Sequence, residues 1–394
     1  MPGDPVRVLR LITRLNVGGP AIQAITLSHR LTERGFRTLL AYGRLGEGEG
    51  DMRYLLPESV ETSCISSLCR PVAPWNDSLA LLAVYRLLRR SRPAILHTHT
   101  AKAGTLGRLA AAIYNRTIGT RAPVRVVHTY HGHVLDGYFS PRAERFFTSA
   151  ERRLARITDA IVAISPRIKN ELLNDHRIGR AEQYRVIRLG FDLRPLVAID
   201  DRARRAARSA LDVAADAHVV STVGRLTIIK QHRLFLEAAQ RIAAQDHSAL
   251  FLIVGDGELR GELEEQATGL GIRGRTRFLG WRRDLSTIYG ATDLFMLTSR
   301  NEGTPVALIE SLASGVPGVS TDVGGVRDVL DSEEIGLLAP FGDARALAES
   351  ALTLLSEPAR RRQMGDRGRK AMIARYDAGS LIDSVERLYR DLLS

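Results

Sequence analysis

The chain has 394 residues, 44% of them hydrophobic and 25% charged, which is enough for two packed cores and lacks the bias of a disordered protein. No run of 18 apolar residues occurs, the start MPGDPVRVLRLITRLNVGG has no small-residue cleavage site, and the only cysteines are Cys64 and Cys69; the expectation is a soluble cytoplasmic protein with reduced thiols, without a membrane span or disulfide framework. The formal charge of +12 lies in the first half, where residues 1–192 hold 29 Lys+Arg against 16 Asp+Glu, while residues 193–394 hold 27 against 28.

Along the chain, short apolar runs ending in Gly, Ser or His turns alternate with helix-period segments. This pattern predicts parallel strands covered by helices on both faces. In the first half strands are predicted at 6–12, 37–42, 94–98, 124–130 and 160–164. After the first strand, Leu15-Asn16-Val17-Gly18-Gly19-Pro20 opens a helical pattern. Its glycines suit either a tight strand-to-helix turn or a close approach of backbone amides to a phosphate. Arg86, Arg89, Arg90 and Arg92, then Arg142, Arg145, Arg152, Arg153 and Arg156, lie on or beside helical patterns. They are either solvated faces or a surface for phosphates or an anionic membrane. Basic runs on helical patterns are most often solvated faces, and no nucleic-acid partner is expected.

Two histidine clusters end the third and fourth of these strands: His97-Thr98-His99 and His128-Thr129-Tyr130-His131-Gly132-His133. A metal site built from them would need acidic ligands, and Asp136 is the only acid nearby in sequence. A metal hydrolase would also leave the second half of the chain unexplained, so no metal is expected.

Arg188 to Pro195 is turn-rich and marks a linker. Beyond it, strands are predicted at 218–223, 250–254, 276–279, 293–297, 316–320 and 336–339. After the first of these come Gly224-Arg225-Leu226-Thr227-Ile228-Ile229-Lys230 and a helical pattern from His232 to Ala243. Arg225 offers a planar fork and Lys230 a point charge, which together can neutralise a departing diphosphate; solvated loop cations are the alternative. The segment 293–325, DLFMLTSRNEGTPVALIESLASGVPGVSTDVGG, reads as a buried strand, then a loop, then a helix capped by Thr304 with Pro305 at its first position. Glu302 lies before that helix and Glu310 inside it. A carboxylate accepts two hydrogen bonds, which fits sugar hydroxyls for Glu302 and ribose hydroxyls for Glu310, although surface glutamates are common. The last segment, Leu381 to Leu393, carries Leu381, Ile382, Val385, Leu388, Tyr389 and Leu392 at helical spacing and so needs a surface to cover.

Taken together these residues resemble the retaining glycosyltransferases of family 4. The resemblance rests on the two glutamates with seven residues between them, Glu302 and Glu310, and on Gly224-Arg225-Leu226 with Lys230. Val254-Gly255-Asp256-Gly257-Glu258, Phe278-Leu279-Gly280-Trp281 and Gly315-Val316-Pro317 follow in the family's order. It implies an α/β protein of GT-B fold, two doubly wound Rossmann-like domains facing across a cleft. The expected division is an acceptor domain, 1–192, a nucleotide-sugar domain, 193–375, and a C-terminal helix, 376–394, crossing back to the first domain. Departures are small: Gln231 follows Lys230 where glycine is common, and Ser311 follows Glu310 where alanine is common.

The resemblance further implies that Arg225 and Lys230 bind the donor diphosphate, Glu310 the ribose, and Glu302 the transferred sugar. Gly303, Thr304 and Pro305 would line sugar and phosphates, the proline contributing no N–H. Gly255, Asp256, Gly257, Leu279 and Gly280 would lie near the base, Gly18 and Gly19 opposite the diphosphate, and His131 beside the transferred sugar. His99, His128 and His133 would shape the acceptor side or pack locally. Transfer of a hexose with retention follows, without metal or cofactor; the chain has no Asp-x-Asp motif. A UDP-sugar is the expected donor and a GDP-sugar the alternative. The acceptor is a hydroxyl, with a lipid-linked glycan precursor suggested by the basic first half, which would contact the inner membrane face. Other readings are a GT-B nucleotide-sugar epimerase and a sugar-nucleotide-binding protein without turnover. A nicotinamide dehydrogenase is disfavoured, since Gly18-Gly19 is not a full G-x-G-x-x-G fingerprint.

Overall fold

The computed structural model describes residues 4–47, 49–132 and 140–394. His133 and Asp136 lie outside the described residues. The chain divides into two compact units, Met1–Phe191 with Ala378–Ser394, and Asp192–Asp377.

In the first unit seven parallel strands, β1 (Val6–Ile12), β2 (Phe36–Tyr42), β3 (Glu61–Cys64), β4 (Ile95–His99), β5 (Arg125–Tyr130), β6 (Ala160–Ala163) and β7 (Tyr184–Val186), form a sheet of order 3-2-1-4-5-6-7. Alternation along the strands divides the core. Leu9, Leu11, Leu96 and Val126 pack on one face with residues of helices Pro74–Ser91 and Ala101–Thr117. Val8, Ile95, Val127 and Val162 pack on the other against Leu381, Ile382, Val385, Leu388 and Tyr389. Those five lie on helix Ala378–Leu393, so the C-terminal stripe covers one face of the first sheet.

The second unit holds β8 (His218–Val223), β9 (Ala249–Val254), β10 (Thr276–Gly280), β11 (Leu294–Leu297), β12 (Gly318–Thr321) and β13 (Gly336–Ala339) in the order 10-9-8-11-12-13, again parallel. Phe251, Ile253, Leu294 and Met296 pack with Phe235, Ile242, Leu347 and Ala351 on one face. Val219, Leu252 and Val254 pack with Ala207, Ile288 and Ala291 on the other. Parallel strands cannot be joined by tight hairpins, and the crossing helices bury both faces, which is why the strands read as unbroken apolar runs.

The eleven strands expected from the sequence are present to within two residues at each end. Two more, β3 and β7, were not foreseen. They are the outer strands of the first sheet, four and three residues long and largely exposed. Glu-Thr-Ser-Cys has no apolar run because only one edge of it is paired. Both cysteines are free.

Candidate functional site

In open parallel sheets the loops at the carboxyl ends diverge where the strand order reverses, and ligands gather there. In the second unit that point lies between β8 and β11. The loop after β8 carries Arg225 and a short turn, Ile228–Lys230; the loop after β11 carries Ser299 and Glu302. Lys230 Nζ lies 2.7 Å from Glu302 Oε1, and the Ser299 hydroxyl donates to the same oxygen at 2.5 Å. Thr298 Oγ1 donates to the Lys230 and Gln231 carbonyls at 3.2 and 3.0 Å, and the Arg300 amide to the Ile229 carbonyl at 2.8 Å. The two loops are thus tied by backbone and side chain, and the ion pair has a defined position. Arg225 is half-buried, and its guanidinium has no hydrogen bond or ion pair among the described residues.

Two further segments, after β9 and at the end of β10, close on this one. The Leu226 amide donates to the Asp256 carbonyl at 3.0 Å and the Gly255 amide to the Gly280 carbonyl at 2.8 Å. The Asp256 carboxylate accepts from the Gly257 amide at 2.8 Å. Gly255 has φ +133, and a Cβ there would stand 1.9 Å from the Gly224 carbonyl oxygen; only glycine permits that approach. Residues 224–226, 255–257 and 280 are therefore one connected surface, with half-buried Leu279 packed against the core below it.

Gly303, Thr304 and Pro305 lead into helix Val306–Ala313, which begins one residue later than its sequence suggests. Pro305 is the cap, with ψ 83, and no side chain caps the helix. Glu310 is half-buried on this helix, with Oε2 3.1 Å from the Tyr289 hydroxyl. Loss of hydration pushes its carboxyl up to about 7, with the Tyr289 hydrogen bond opposing the shift.

Ser299 and Tyr289 were not singled out from the sequence, nor was Gly325. The Gly325 amide donates to the Glu302 carbonyl at 2.7 Å, and a Cβ on Gly325 would stand 1.9 Å from the Gly303 carbonyl oxygen. The signal for two of them was present: Ser299 follows β11 three residues before Glu302, and a glycine pair closes the segment 293–325. Tyr289 gives no local signal, because its partner is 21 residues away on another helix.

In the first unit the reversal lies between β1 and β4. Gly18 caps helix Gly19–Arg30. Thr13, just after β1, and Thr100, just after β4, share a 2.6 Å hydroxyl hydrogen bond. Thr100 has φ 68, a costly conformation for a β-branched residue, and such strain gathers at functional sites.

Strand parity sorts the histidines. His97 and His99 point to the face covered by the C-terminal helix, and His99 Nδ1 lies 3.0 Å from His131 Nε2. His128 points the other way, its ring against Gly104 of helix Ala101–Thr117, where a Cβ would stand 2.3 Å from His128 Cε1. His128 therefore packs locally. Burial lowers His131 from 6.5 to about 3. Burial, and after it the nearby Arg10 charge, hold His97 well below 6.5; burial, then the neighbouring His97, does the same for His99. The rings are neutral at neutral pH. No group of three His, Cys, Asp or Glu able to hold a metal is found among the described residues.

Two family models match the chain, "Glycosyltransferase Family 4" over residues 17–194 and "Glycosyl transferases group 1" over residues 203–371. The chain is 27% identical over 347 residues to the UDP-Gal:alpha-D-GlcNAc-diphosphoundecaprenol alpha-1,3-galactosyltransferase of Escherichia coli, covering 87% of each. It is 31% identical over 233 residues to the lipopolysaccharide core biosynthesis glycosyltransferase LpsE of Rhizobium meliloti, covering 59% of this chain and 64% of that one. Among solved structures, Anabaena HepE in complex with UDP and glucose superposes with a TM-score of 0.81 at 21% identity, over 98% of this chain and 100% of that one, a likeness of fold.

Proposed function

Because the chain belongs to the family 4, group 1 glycosyltransferases and has their GT-B fold, we propose that it moves a hexose from a UDP-sugar to a hydroxyl acceptor, with retention and without a metal. The observation that carries this reading is the Lys230–Glu302 pair at the strand ends of the second sheet, with Arg225, whose guanidinium has no partner among the described residues, on the same loop as Lys230. Arg225 and Lys230 supply the positive charge that a departing diphosphate needs. Glu302 accepts from hydroxyls of the transferred sugar, Glu310 accepts from the ribose, and residues 255–257 and 279–280 flank the base. His131 orients the sugar. The acceptor hydroxyl attacks from the face the diphosphate leaves, and the diphosphate oxygen takes its proton, so no protein nucleophile is required.

For the acceptor we propose a polyprenyl-diphosphate-linked sugar. The E. coli relative is named for such an acceptor. The excess positive charge of residues 1–192 suits an anionic lipid surface, and in that stretch Val72, Trp75 and Phe146 stand 76%, 77% and 68% exposed. No helix among the described residues is long and apolar enough to cross a membrane, so contact would be peripheral.

The test is a panel of nucleotide sugars scored by thermal stabilisation, since a ligand of the native state raises the melting temperature. The stabilising donor is then incubated with a short-chain polyprenyl-diphosphate sugar. Stabilisation by UDP-sugars and transfer with the anomeric configuration kept are expected. A donor-only epimerised product, or an absolute metal requirement, would overturn the reading. Failure to co-sediment with anionic vesicles at low salt would remove the membrane contact alone.

A further inference from the structure

Arg10 lies fully buried in the middle of β1, with no carboxylate bonded to it among the described residues. Register puts it directly beside His97 and puts Ile12 beside His99; Arg10, His97 and His99 share the parity of Val8 and Ile95, which pack against the C-terminal helix. Its Nε donates to Ser28 Oγ at 3.2 Å, one Nη to His97 Nδ1 at 3.1 Å and His99 Nε2 at 3.2 Å, and the other Nη to the Tyr389 hydroxyl at 3.1 Å. A guanidinium has donors and no acceptor, so each atom it meets must accept.

That constraint propagates along the rings. His99 Nε2 accepts, so the neutral ring carries its proton on Nδ1. His99 Nδ1 then donates to His131 Nε2 across 3.0 Å. His131 Nε2 therefore accepts as well, which leaves the His131 proton on Nδ1. His131 Nδ1 is buried and has no hydrogen-bond partner among the described residues. On the other branch, Tyr389 accepts from Arg10 and donates to His97 Nδ1 at 2.6 Å, and His97 Nε2 donates to Thr129 Oγ1 at 2.7 Å. Every proton in the cluster is assigned by the one group that cannot accept.

We propose that Arg10 is a positioning residue that, through His99, holds His131 as the Nδ1–H tautomer and so commits its unpartnered nitrogen to donating a hydrogen bond to an oxygen of the sugar substrate. A buried guanidinium without a carboxylate is a costly element of a core. Stability would be better served by an apolar side chain packed among Val8, Ile95 and Val127. A tautomer switch has a use for it, because a histidine left free can present either a donor or an acceptor. The assignment of protons stands on geometry; the part played in transfer rests on the function proposed above.

The experiment is a long-range proton–nitrogen NMR spectrum of the full chain labelled with 15N-histidine, with His131 assigned through His131→Gln. Protonated and bare ring nitrogens resonate far apart, so the tautomer is read directly. The expected spectrum has His131 and His99 protonated at Nδ1 and His97 at Nε2, unchanged across neutral pH. In Arg10→Met the His99 and His131 pattern should be lost, with kcat falling about 10²-fold, the size of losing one preorganised donor, and the KM for the nucleotide sugar nearly unchanged. Wild-type His131 carrying its proton on Nε2 overturns the proposal, and that reading needs no variant to fold. So does a folded Arg10→Met protein with the wild-type pattern. A wild-type chain with the expected tautomers that transfers sugar from no nucleotide donor instead overturns the functional reading.

Discussion

The Lys230 ammonium lies 2.7 Å from Glu302 Oε1, joining two loops on either side of the strand-order reversal in the second sheet. Neither group is positioned alone. The Ser299 hydroxyl shares the same carboxylate oxygen, so the loop holds Glu302 and Glu302 in turn holds the cation.

Lys230→Ala should abolish measurable transfer, a loss of about 10³-fold or more in kcat, because a point charge on the leaving diphosphate has no substitute. The fold should survive. The lysine side chain is 28% exposed, and an ion pair in contact with water contributes about 1 kcal/mol or less. Steady-state kinetics beside a thermal melt checks both halves; unchanged turnover in the variant removes Lys230 from the donor chemistry.

Glu310 makes stability and donor binding depend on pH in opposite senses. Its folded carboxyl keeps a proton up to about 7, whereas the ordinary value is 4.5. Below about pH 4.5 both folded and unfolded states are protonated and nothing is lost. As pH rises toward 7 the unfolded chain releases the proton first, so the folded state loses stability across that window. Glu310→Gln should therefore match the wild type near pH 5 and melt higher at pH 8. UDP-sugar affinity should rise from pH 6 to pH 8 in the wild type, since ribose hydroxyls donate to the ionised form, and stay flat in the variant. Calorimetric titrations at the two pH values decide it.

Tyr389 ties the C-terminal helix to the first sheet. Tyr389→Phe leaves one buried Arg10 donor without an acceptor and takes from His97 Nδ1 the nearer of its two donors, Arg10 remaining as the other, and should cost about 1–3 kcal/mol in urea unfolding. Ending the chain after Asp377 removes Leu381, Ile382, Val385, Leu388 and Tyr389 from one core. At about 1.5–3 kcal/mol for each large apolar side chain this approaches the whole stability of a domain, about 5–15 kcal/mol. The truncated chain should show the first unit unfolded by hydrogen exchange while the second stays protected.

Gln231 stands at φ 51, ψ 42, in the left-handed region, which explains why glycine is common there in sequences this chain resembles. Its amide donates to the Ile228 carbonyl at 2.8 Å and offsets part of the strain. Gln231→Gly should change stability by less than about 1 kcal/mol, as relieved strain and added chain entropy nearly cancel. Gln231→Val, β-branched, should cost about 1–2 kcal/mol more than Gln231→Gly. Equal melting temperatures for the two variants would refute this account of the turn.

Much of the protein was readable before any coordinate was known. Unbroken apolar runs such as Leu294–Leu297 announce strands buried on both faces, and the stripe from Leu381 to Tyr389 demanded a surface. Glu302, Glu310, Arg225 and Lys230 could be picked out because strand ends and helix starts are written locally, in periodicity and in Gly and Pro. The outer strands β3 and β7 escaped because a strand of three or four exposed residues carries no such pattern.

Only the tertiary structure decided the partners. Lys230 meets Glu302 across 72 residues, Glu310 meets Tyr289 across 21, and Arg10 meets Tyr389 across 379. Chain periodicity says which way a side chain points from its own strand or helix, but strand register and helix docking set what it points at. The histidines show the difference most clearly. As a sequence they are two runs that could have ligated a metal; in the sheet, parity sends His128 under a helix and gathers His97, His99 and His131 around one buried arginine.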